Sequence, residues 1–540
     1  MAADDPQLNA MPHSSFHSVP SLTRNLPTWQ YCLDGDVDAP FLLDGIENGF
    51  KLVNIPISSI LPSDCKNYKS ALENKITLDK LFRKEIELGR FSRQYEKPIR
   101  SQAIGAVPKK DSLVPRPITD CSRPYDNSLN SYMQTEKFCF STVEQAVLAS
   151  NPFSYYAIVD IESAYRWVPI YPPHAQLQGF RWQFSDEAQE HYYVDNFLCF
   201  GLAIAPSIFN RISSAVVRII QRVGFKCLSY LDDFLLIADT ADTCRQAQFY
   251  LIRVLIKLGF AVNWTKLVGA TQRVQFLGLI IDSALQHIEL PADKLEKLIS
   301  LALDYVTRQK VTKRELQVLA GHMTFAARAI YGARPFARLF IDAVNTLKRS
   351  HYKFRLTPIY KSELRWWIDF AGSFNGLCPC AFGKHRPVIV ITTDASFSGF
   401  GAVKGRDWLA GTWRKCALPA YLEKVFLSNF LVCPDLAPSL AQNINYLELI
   451  AAVISLLVWA PSLSGSLVLV ESDNQSTVAF LRKCTAKNLD AILWLKKLFY
   501  ASLKYDFHVT AMHKPGVDII LPDAIHACLR ESFSVSYCQQ

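Results

Sequence analysis

The sequence predicts an α+β chain of several domains, and three observations carry that expectation. At 540 residues the chain has room for about three or four domains at ~150 residues each. In its first half, short apolar runs bounded by polar pairs or turn residues alternate with stretches of helical spacing. From residue 388 the order changes to β-β-β-α-β-α-β-α. Half of the residues are hydrophobic, enough to bury large cores.

Lys plus Arg number 58 against 49 Asp plus Glu, a formal charge of +9. That mild excess suits a polyanionic partner. The 14 cysteines are scattered, Cys378 and Cys380 being nearest to a pair, and none has CxxC or zinc-knuckle spacing. Such a set reads as reduced intracellular thiols. The N-terminus is acidic and polar, unlike a signal peptide. The most apolar long run, residues 446–460, is short for a bilayer span and carries Glu448. The expectation is a soluble intracellular protein without a membrane partner, with cytoplasm and nucleus not distinguished.

Taken in order, residues 1–25 are rich in Pro, Ser, His and Asn and read as disordered. Leu78, Leu81, Phe82 and Ile86 share one side of a helix that stops at Gly89. Residues 106–130 read as a hairpin turning at 110–112, where Lys109, Lys110 and Arg116 could face a phosphate chain. A solvated basic hairpin has the same pattern. Residues 157–159 read as a buried strand with Asp160 at its end, a common place for a catalytic acid in an open sheet. Tyr165, five residues on, points back over that site or fills the core. Gly201 precedes a helix beginning near Pro206, and its missing side chain permits close backbone approach, to a base pair on this reading.

Residues 247–259 read as a helix ending in Gly, followed by Asn263 and Lys266 in a polar turn and a hairpin over 275–282. Residues 293–348 read as helical and basic, with Lys294, Lys297, Arg308, Lys310, Lys313, Arg314, Arg328, Arg334 and Arg338 able to track a duplex backbone. Trp366 and Trp367 fall in a linker domain, and residues 379–387 look like a boundary. Beyond it, residues 388–393 form a strand ending at Asp394, and Ser398, Gly399 and Gly401 turn into a second strand. Residues 446–459 form a helix with Leu447, Ile450, Ala451, Ile454 and Leu457 on its core face and Glu448 in its first turn. A strand over 467–471 ends near Asp473, and one over 507–512 leads to His513. Asp523 opens a terminal helix.

The chain is organised around residues 229–239, SYLDDFLLIAD. Two apolar runs flank Asp232 and Asp233, which reads as a tight β-hairpin with both acids at its tip. Neighbouring carboxylates repel, and a divalent cation with oxygen ligands is the simplest remedy. An ordinary Asp-Asp turn would look the same locally. The rest of the chain supplies more acids at element ends: Asp160 in this half, and Asp394, Glu448, Asp473 and Asp523 in the other. Clustered carboxylates suit paired magnesium ions roughly 3.5–4 Å apart, which clamp the oxygens of an in-line phosphoryl displacement. Oxygen ligands favour magnesium over zinc.

An ordered set of motifs resembles a reverse transcriptase: YLDD at 230–233, VDIESAY at 159–165, FGLAIAP at 200–206, NWTK at 263–266 and FLG at 276–278. The second half resembles the RNase H domain of retroelement polymerases: TDAS at 393–396, LEL at 447–449, SDN at 472–474 and HKPG with Asp523 downstream. LRWW at 364–367 and NYLELIAAV at 445–453 lean towards DIRS-like retrotransposons, with gypsy-like relatives. The resemblance implies a right-hand polymerase with fingers and palm at 70–290, a thumb at 291–350, a connection at 351–386 and an RNase H-like α/β domain at 387–530. An N-terminal extension (1–69), partly disordered, and a tail (531–540) flank these.

The resemblance also implies roles. Asp160 and Asp232 would hold two magnesium ions with Asp233 assisting, and Lys109 and Arg116 would contact the triphosphate. Tyr165 would exclude a 2′-hydroxyl, Gly201 would let the backbone approach the nascent pair, and Lys266 would protonate departing pyrophosphate. Phe276, Leu277 and Gly278 would support the primer end. Asp394, Glu448, Asp473 and Asp523 would bind the second pair of magnesium ions, and His513 would assist product release or proton transfer. Implied partners are an RNA template, a DNA primer, an RNA–DNA hybrid and deoxynucleoside triphosphates, with element-encoded coat and recombinase proteins beside them. Two departures concern the nuclease half: Pro522 stands before the last acid, and residues 414–443 exceed the usual loop. A domesticated or decayed element protein that binds nucleic acid without catalysis, and an RNA-synthesising polymerase, are the rival readings.

Overall fold

The computed structural model of the chain describes residues 21–109, 112–330, 332–375, 378–379, 386–413, 430–432, 436–519 and 522. Two compact units form, one of residues 1–277 with 281–284, the other of residues 278–280 with 285–540.

The first unit begins with α1 (Leu26–Cys32) and α2 (Ala39–Asn48). Order starts earlier than composition suggested. Residues 1–20 lie outside the described residues, but 21–25 are folded. Leu22 and Trp29 are buried, Thr23 Oγ1 donates to Ile46 O at 3.0 Å, and Trp29 Nε1 donates to Leu258 O at 2.9 Å. A few apolar anchors, each worth roughly 1.5–3 kcal/mol when buried, outweigh a polar composition. Buried Asp36 and its neighbour Asp38 complete the tie through Arg218, 2.7 and 2.8 Å away.

Next come α3 (Lys75–Glu87) and six strands: β1 (Phe91–Gln94), β2 (Arg100–Lys109), β3 (Ser112–Asp120), β4 (Tyr155–Asp160), β5 (Gly179–Trp182) and β6 (His191–Asp195). All but β4 join one six-stranded sheet: the two-residue strand Ser63–Asp64 leads, then β2-β5-β6-β1, and β3 pairs with β2 off this path. The expected basic hairpin is β2–β3. Its turn residues 110 and 111 lie outside the described residues, as does the side chain of Lys109.

After α4 (Ala205–Arg222) follow β7 (Lys226–Tyr230), β8 (Asp233–Ala238), α5 (Ala241–Leu258) and β9 (Val268–Thr271). These strands form an antiparallel sheet, β9-β4-β8-β7. β4 is central and buried from Tyr156 to its end, as its continuous apolar run requires. The cap of α5 is Thr240, whose Oγ1 accepts Thr243 N at 3.1 Å, worth about 1 kcal/mol. A further hairpin, β10 (Arg273–Phe276) and β11 (Leu279–Asp282), turns at Leu277 and Gly278 with φ of +47° and +79°.

The second unit opens with α6 (Ala292–Thr307), α7 (Lys313–Ala326), α8 (Arg338–Thr346) and α9 (Pro358–Phe374). The basic run is less available than its spacing indicated. Arg308 is held by Asp304 and Glu315, Arg338 by Asp342, and Lys294 donates to Gly278 O at 2.7 Å. Asp304 and Asp342 act from one helical turn away, and Glu315 from the start of the next helix. Trp366 of α9 stacks on Phe336 with centroids 3.7 Å apart, and Trp367 Nε1 donates to Phe336 O at 3.2 Å.

The remaining elements are β12 (Val388–Ala395), β13 (Gly399–Lys404), β14 (Asp407–Thr412), β15 (Phe430–Val432), α10 (Ile444–Trp459), β16 (Leu467–Ser472), α11 (Gln475–Lys483), α12 (Leu489–Tyr505) and β17 (His508–His513). The sheet runs β15-β14-β13-β12-β16-β17, with β12, β16 and β17 mutually parallel. Two helices, not one, separate β16 from β17. Cys484 at φ +47° ends α11, and Asn488 caps α12 by accepting from Asp490 N and Ala491 N at 2.8 and 3.1 Å. Gly399 and Gly401 lie inside β13 rather than in the turn before it. Among the described residues, one helical stretch, Ile444–Leu463, is long and apolar enough to cross a membrane by length and composition, and 67 % of it is buried in this core. Helices apolar on every side are core helices or membrane spans, and here α10 packs on β12 and β13.

Candidate functional site

The β7–β8 hairpin places the central acids. Tyr230 pairs with Asp233 across a two-residue turn, Leu231 and Asp232, and Leu231 adopts φ +54°. A left-handed Leu costs roughly 1–2 kcal/mol, strain of the kind that gathers at functional sites. The register of β4 against β8 sets Asp160 directly opposite Asp233, and Ile161 N donates to Asp232 O at 3.0 Å. Asp160 thereby meets the adjacent pair Asp232 and Asp233, from a distant part of the sequence, at one end of the sheet.

Their electrostatics are those of a crowded acid site. Burial, then a hydrogen bond to Asp160 and the charge of Asp232, push Asp233 up to about 7. Burial and the charge of Asp160 also raise Asp232. Asp160 is 1 % exposed and receives Lys266 Nζ at 2.7 Å. Burial works against the Lys266 ammonium, but Asp160, Asp233 and Asp232 outweigh it and raise the group. A like-charge pair ~4 Å apart costs roughly 4 kcal/mol at an effective dielectric of 20. One lysine cannot offset three such charges, so the site either keeps a proton or takes up a cation.

The surrounding residues fall near these acids by different routes. Tyr165 is 9 % exposed, and its ring lies 5.2 Å from that of Phe200 and 5.7 Å from that of Phe209. Burial and the charge of Asp232 push its hydroxyl up to about 12, so it stays protonated. The Arg116 guanidinium sits 4.9 Å from the Phe200 ring centre, close enough for its charge to act on Asp232. Gly201 has φ +123°, and a Cβ there would lie 1.8 Å from Thr119 O. Its bareness thus already serves contact with β3, where the sequence assigned it to a base pair. Phe276 is buried in β10, and Gly278 O accepts from Lys294.

The second unit assembles Asp394, Glu448 and Asp473. Asp394 lies on β12 and Asp473 just past β16, while Glu448 is the fifth residue of α10, beyond its first turn because the helix starts earlier than expected, at Ile444; carboxylate oxygens of the three lie within 4.8 Å of one another. Glu448 is 3 % exposed. Its Oε1 accepts Ala395 N at 3.1 Å, while Oε2 is buried without a hydrogen-bond partner among the described residues. Burial, then Asp394 and Asp473, push it up to about 9. An orphaned buried oxygen in an all-oxygen cluster is the donor set for a hard divalent cation. His513 is exposed at the end of β17, in register with Ser472. Asp523 lies outside the described residues. Pro522, however, is described: its carbonyl sits 2.5 Å from where a Gly401 Cβ would be, and Gly401 pairs with Asp394. The chain therefore passes close to β13 at Pro522.

Sequence reading missed two supporting networks. Glu471 accepts Thr392 Oγ1 at 2.9 Å and Lys514 Nζ at 2.7 Å, steadying the strand ends that carry Asp394 and His513. Arg166, next to Tyr165, is buried between Glu85 and Asp195. A cation inside the otherwise apolar run YRWVPI was the available signal.

The fold is that of a reverse transcriptase with an RNase H-like domain. Two solved structures of foamy viral protease-reverse transcriptase in complex with double-stranded DNA match 93 % of the chain, with TM-scores of 0.53 and 0.51, sequence identities of 13 % and 15 %, and 83 % and 99 % of those chains covered. Residues 107–281 match the family described as reverse transcriptase (RNA-dependent DNA polymerase). The chain thus carries a reverse transcriptase domain with homologues in viral and transposon polyproteins. It is 27 % identical over 158 residues to the genome polyprotein of Petunia vein clearing virus, covering 28 % of this chain and 6 % of that protein. It is 25 % identical over 210 residues to the Pol polyprotein from transposon opus of Drosophila melanogaster, covering 39 % and 20 %. Protein P of hepatitis B virus is 24 % identical over 237 residues, covering 43 % and 26 %. The chain spans about a quarter or less of the length of these relatives.

Proposed function

We propose that this chain is the RNA-directed DNA polymerase of a DIRS-like retrotransposon, acting inside the cell, and that its second unit cleaves the RNA strand of RNA–DNA hybrids. The observation that carries the reading is the convergence of Asp160, Asp232 and Asp233 at one end of the sheet beside the Tyr165–Phe200 pair. Asp160 and Asp232 would hold magnesium ions, with Asp233 assisting. When bound, those ions would neutralise the charge that develops on the attacking and leaving oxygens. Positioning and charge neutralisation supply most of phosphoryl-transfer catalysis, so the chain's own task is to hold the reactants.

Arg116, braced on Phe200, presents a guanidinium to the triphosphate. The protonated Tyr165 ring forms a neutral wall under the sugar and leaves no room for a 2′-hydroxyl. Lys266, in its ion pair, balances Asp160 before nucleotide and metal arrive, and it could later donate a proton to pyrophosphate. Leu277 and Gly278 would support the primer end. In the second unit Asp394, Glu448 and Asp473, with Asp523, would hold the cleaving ions, and His513, exposed at the rim, would move a proton or help product leave. An RNA template, a DNA primer and deoxynucleoside triphosphates are the substrates on this reading.

Primer extension on an RNA template with magnesium tests the proposal, with Asp232→Asn as control. Incorporation by the wild type and none by the variant is the expected result. Hybrid binding without any incorporation by the wild type would instead favour a decayed element protein.

A further inference from the structure

We propose that Arg166 is a positioning residue that fixes the wall formed by Tyr165 and Phe200, and thereby sets the preference for deoxynucleotides. The proposal rests on the polymerase reading above. Among the described contacts, Arg166 bonds to none of Asp160, Asp232 and Asp233; its partners are Glu85, Asp195 and Leu198 O. Its effect runs through the two elements that carry the aromatic pair.

The side chain is 13 % exposed and spends its donors on two elements. NH1 donates to Asp195 Oδ1 and Oδ2 at 2.9 and 2.7 Å and to Leu198 O at 3.2 Å. Nε and NH2 donate to Glu85 Oε2 of α3 at 2.9 and 2.7 Å. Asp195 Oδ1 in turn accepts Phe197 N at 3.1 Å, and Gln178 Nε2 donates to Phe197 O at 3.1 Å. The segment 195–198 is thus held at several points. Phe200 follows two residues later, with its ring against Tyr165. On the other flank, Arg90 pairs with Glu85 at 3.2 Å and lies 4.5 Å from the Trp167 ring centre. The turn bearing Tyr165 is therefore clamped from the α3 side, and the Phe200 segment from the β6 side, by one guanidinium.

A buried ion cluster is weak evidence for stability, because apolar residues of similar volume often serve as well. What such a cluster supplies is register. The planar fork of Arg satisfies two carboxylates in one geometry only. Asp195 is almost fully buried, so loss of the fork leaves a desolvated carboxylate that must reach water or another donor. Either response moves the 195–200 segment, and with it the ring that backs Tyr165. Lys at this position keeps the charge and loses the fork.

The test measures kcat/KM for a deoxynucleotide and the matching ribonucleotide in wild type, Arg166→Lys and Glu85→Gln. The ratio of the two values does not depend on the fraction of folded enzyme, so simple destabilisation leaves it unmoved. Arg166→Lys should lower the ratio about tenfold, mainly through a higher KM for the deoxynucleotide, since misplacement near 1 Å costs that much or more. Glu85→Gln should lower it in the same direction by a smaller factor. Added to Tyr165→Ala, Arg166→Lys should change the ratio no further, because both act on one wall. A ratio unchanged in both Arg166→Lys and Glu85→Gln, while Tyr165→Ala lowers it, would overturn the assignment. Wild type inactive with every nucleotide would overturn the polymerase reading instead, and the assignment with it.

Discussion

Glu448→Gln probes the second acid cluster without asking it to catalyse anything. Glu448 is buried, one oxygen is bound by Ala395 N, and the other has no partner among the described residues. Burial and its acidic neighbours lift it from 4.5 to about 9. Between those values the unfolded chain has lost the proton that the folded chain still binds. Stability from this group is therefore complete below pH ~4.5 and falls as pH rises towards 9. At pH 7 the chain has moved about 2.5 pH units into that window, and at ~1.4 kcal/mol per unit the loss is roughly 3 kcal/mol. Glutamine has the same shape and no charge to bury, so the variant should recover most of it. For a unit of this size that corresponds to about 6–12 °C in Tm. Magnesium acts in the opposite direction on the wild type: at a free concentration ten times Kd it adds about 1.4 kcal/mol. The assay is urea or thermal unfolding from pH 5 to pH 8, with and without magnesium chloride. Expected are a falling stability for metal-free wild type, a flatter curve and higher Tm for Glu448→Gln, and a smaller magnesium response in the variant. Wild-type stability that is flat over this range, together with a variant less stable than wild type without magnesium, would refute the reasoning.

Three further outcomes follow from the geometry. Gly201→Ala forces a Cβ to within 1.8 Å of Thr119 O at φ +123°; it should destabilise the first unit by about 3 kcal/mol or more, read as a lowered urea midpoint, and unchanged stability would mean the β3 contact is not tight. Tyr165→Ala should admit ribonucleotides in primer extension, with a drop in deoxy preference of tenfold or more; an unchanged sugar preference would remove Tyr165 from the sugar site. Asp473→Asn should abolish cleavage of a labelled RNA–DNA hybrid while primer extension continues at a rate within about twofold of wild type; joint loss of both activities would mean the two acid clusters do not work separately.

The acids could be read from the chain because each sits at a point where the local pattern changes. Asp160 ends an apolar run, Asp232 and Asp233 interrupt one, and Asp394 and Asp473 close strands. Period-two and continuous apolar runs are local properties, so β4, β7, β8, β12 and α10 could be placed from sequence. The sequence erred where a local signal was outvoted by partners far along the chain. The polar stretch at 21–25 is ordered because Leu22 and Trp29 find a core. Gly401 is a strand residue because it pairs with Asp394 on one side and Ala410 on the other.

By itself, then, the chain's order of residues determined which carboxylates are available and which elements bear them, since strand ends and turns are written in neighbouring side chains. Only tertiary structure decided that Asp160 faces Asp233, that Glu448 keeps an oxygen without a partner among the described residues, and that Arg166 grips both flanks of the Tyr165–Phe200 wall. The reason is that register and burial arise from contacts between residues tens to hundreds of positions apart. Charge repulsion, desolvation and close backbone approach act through space, and no window along the sequence contains both partners.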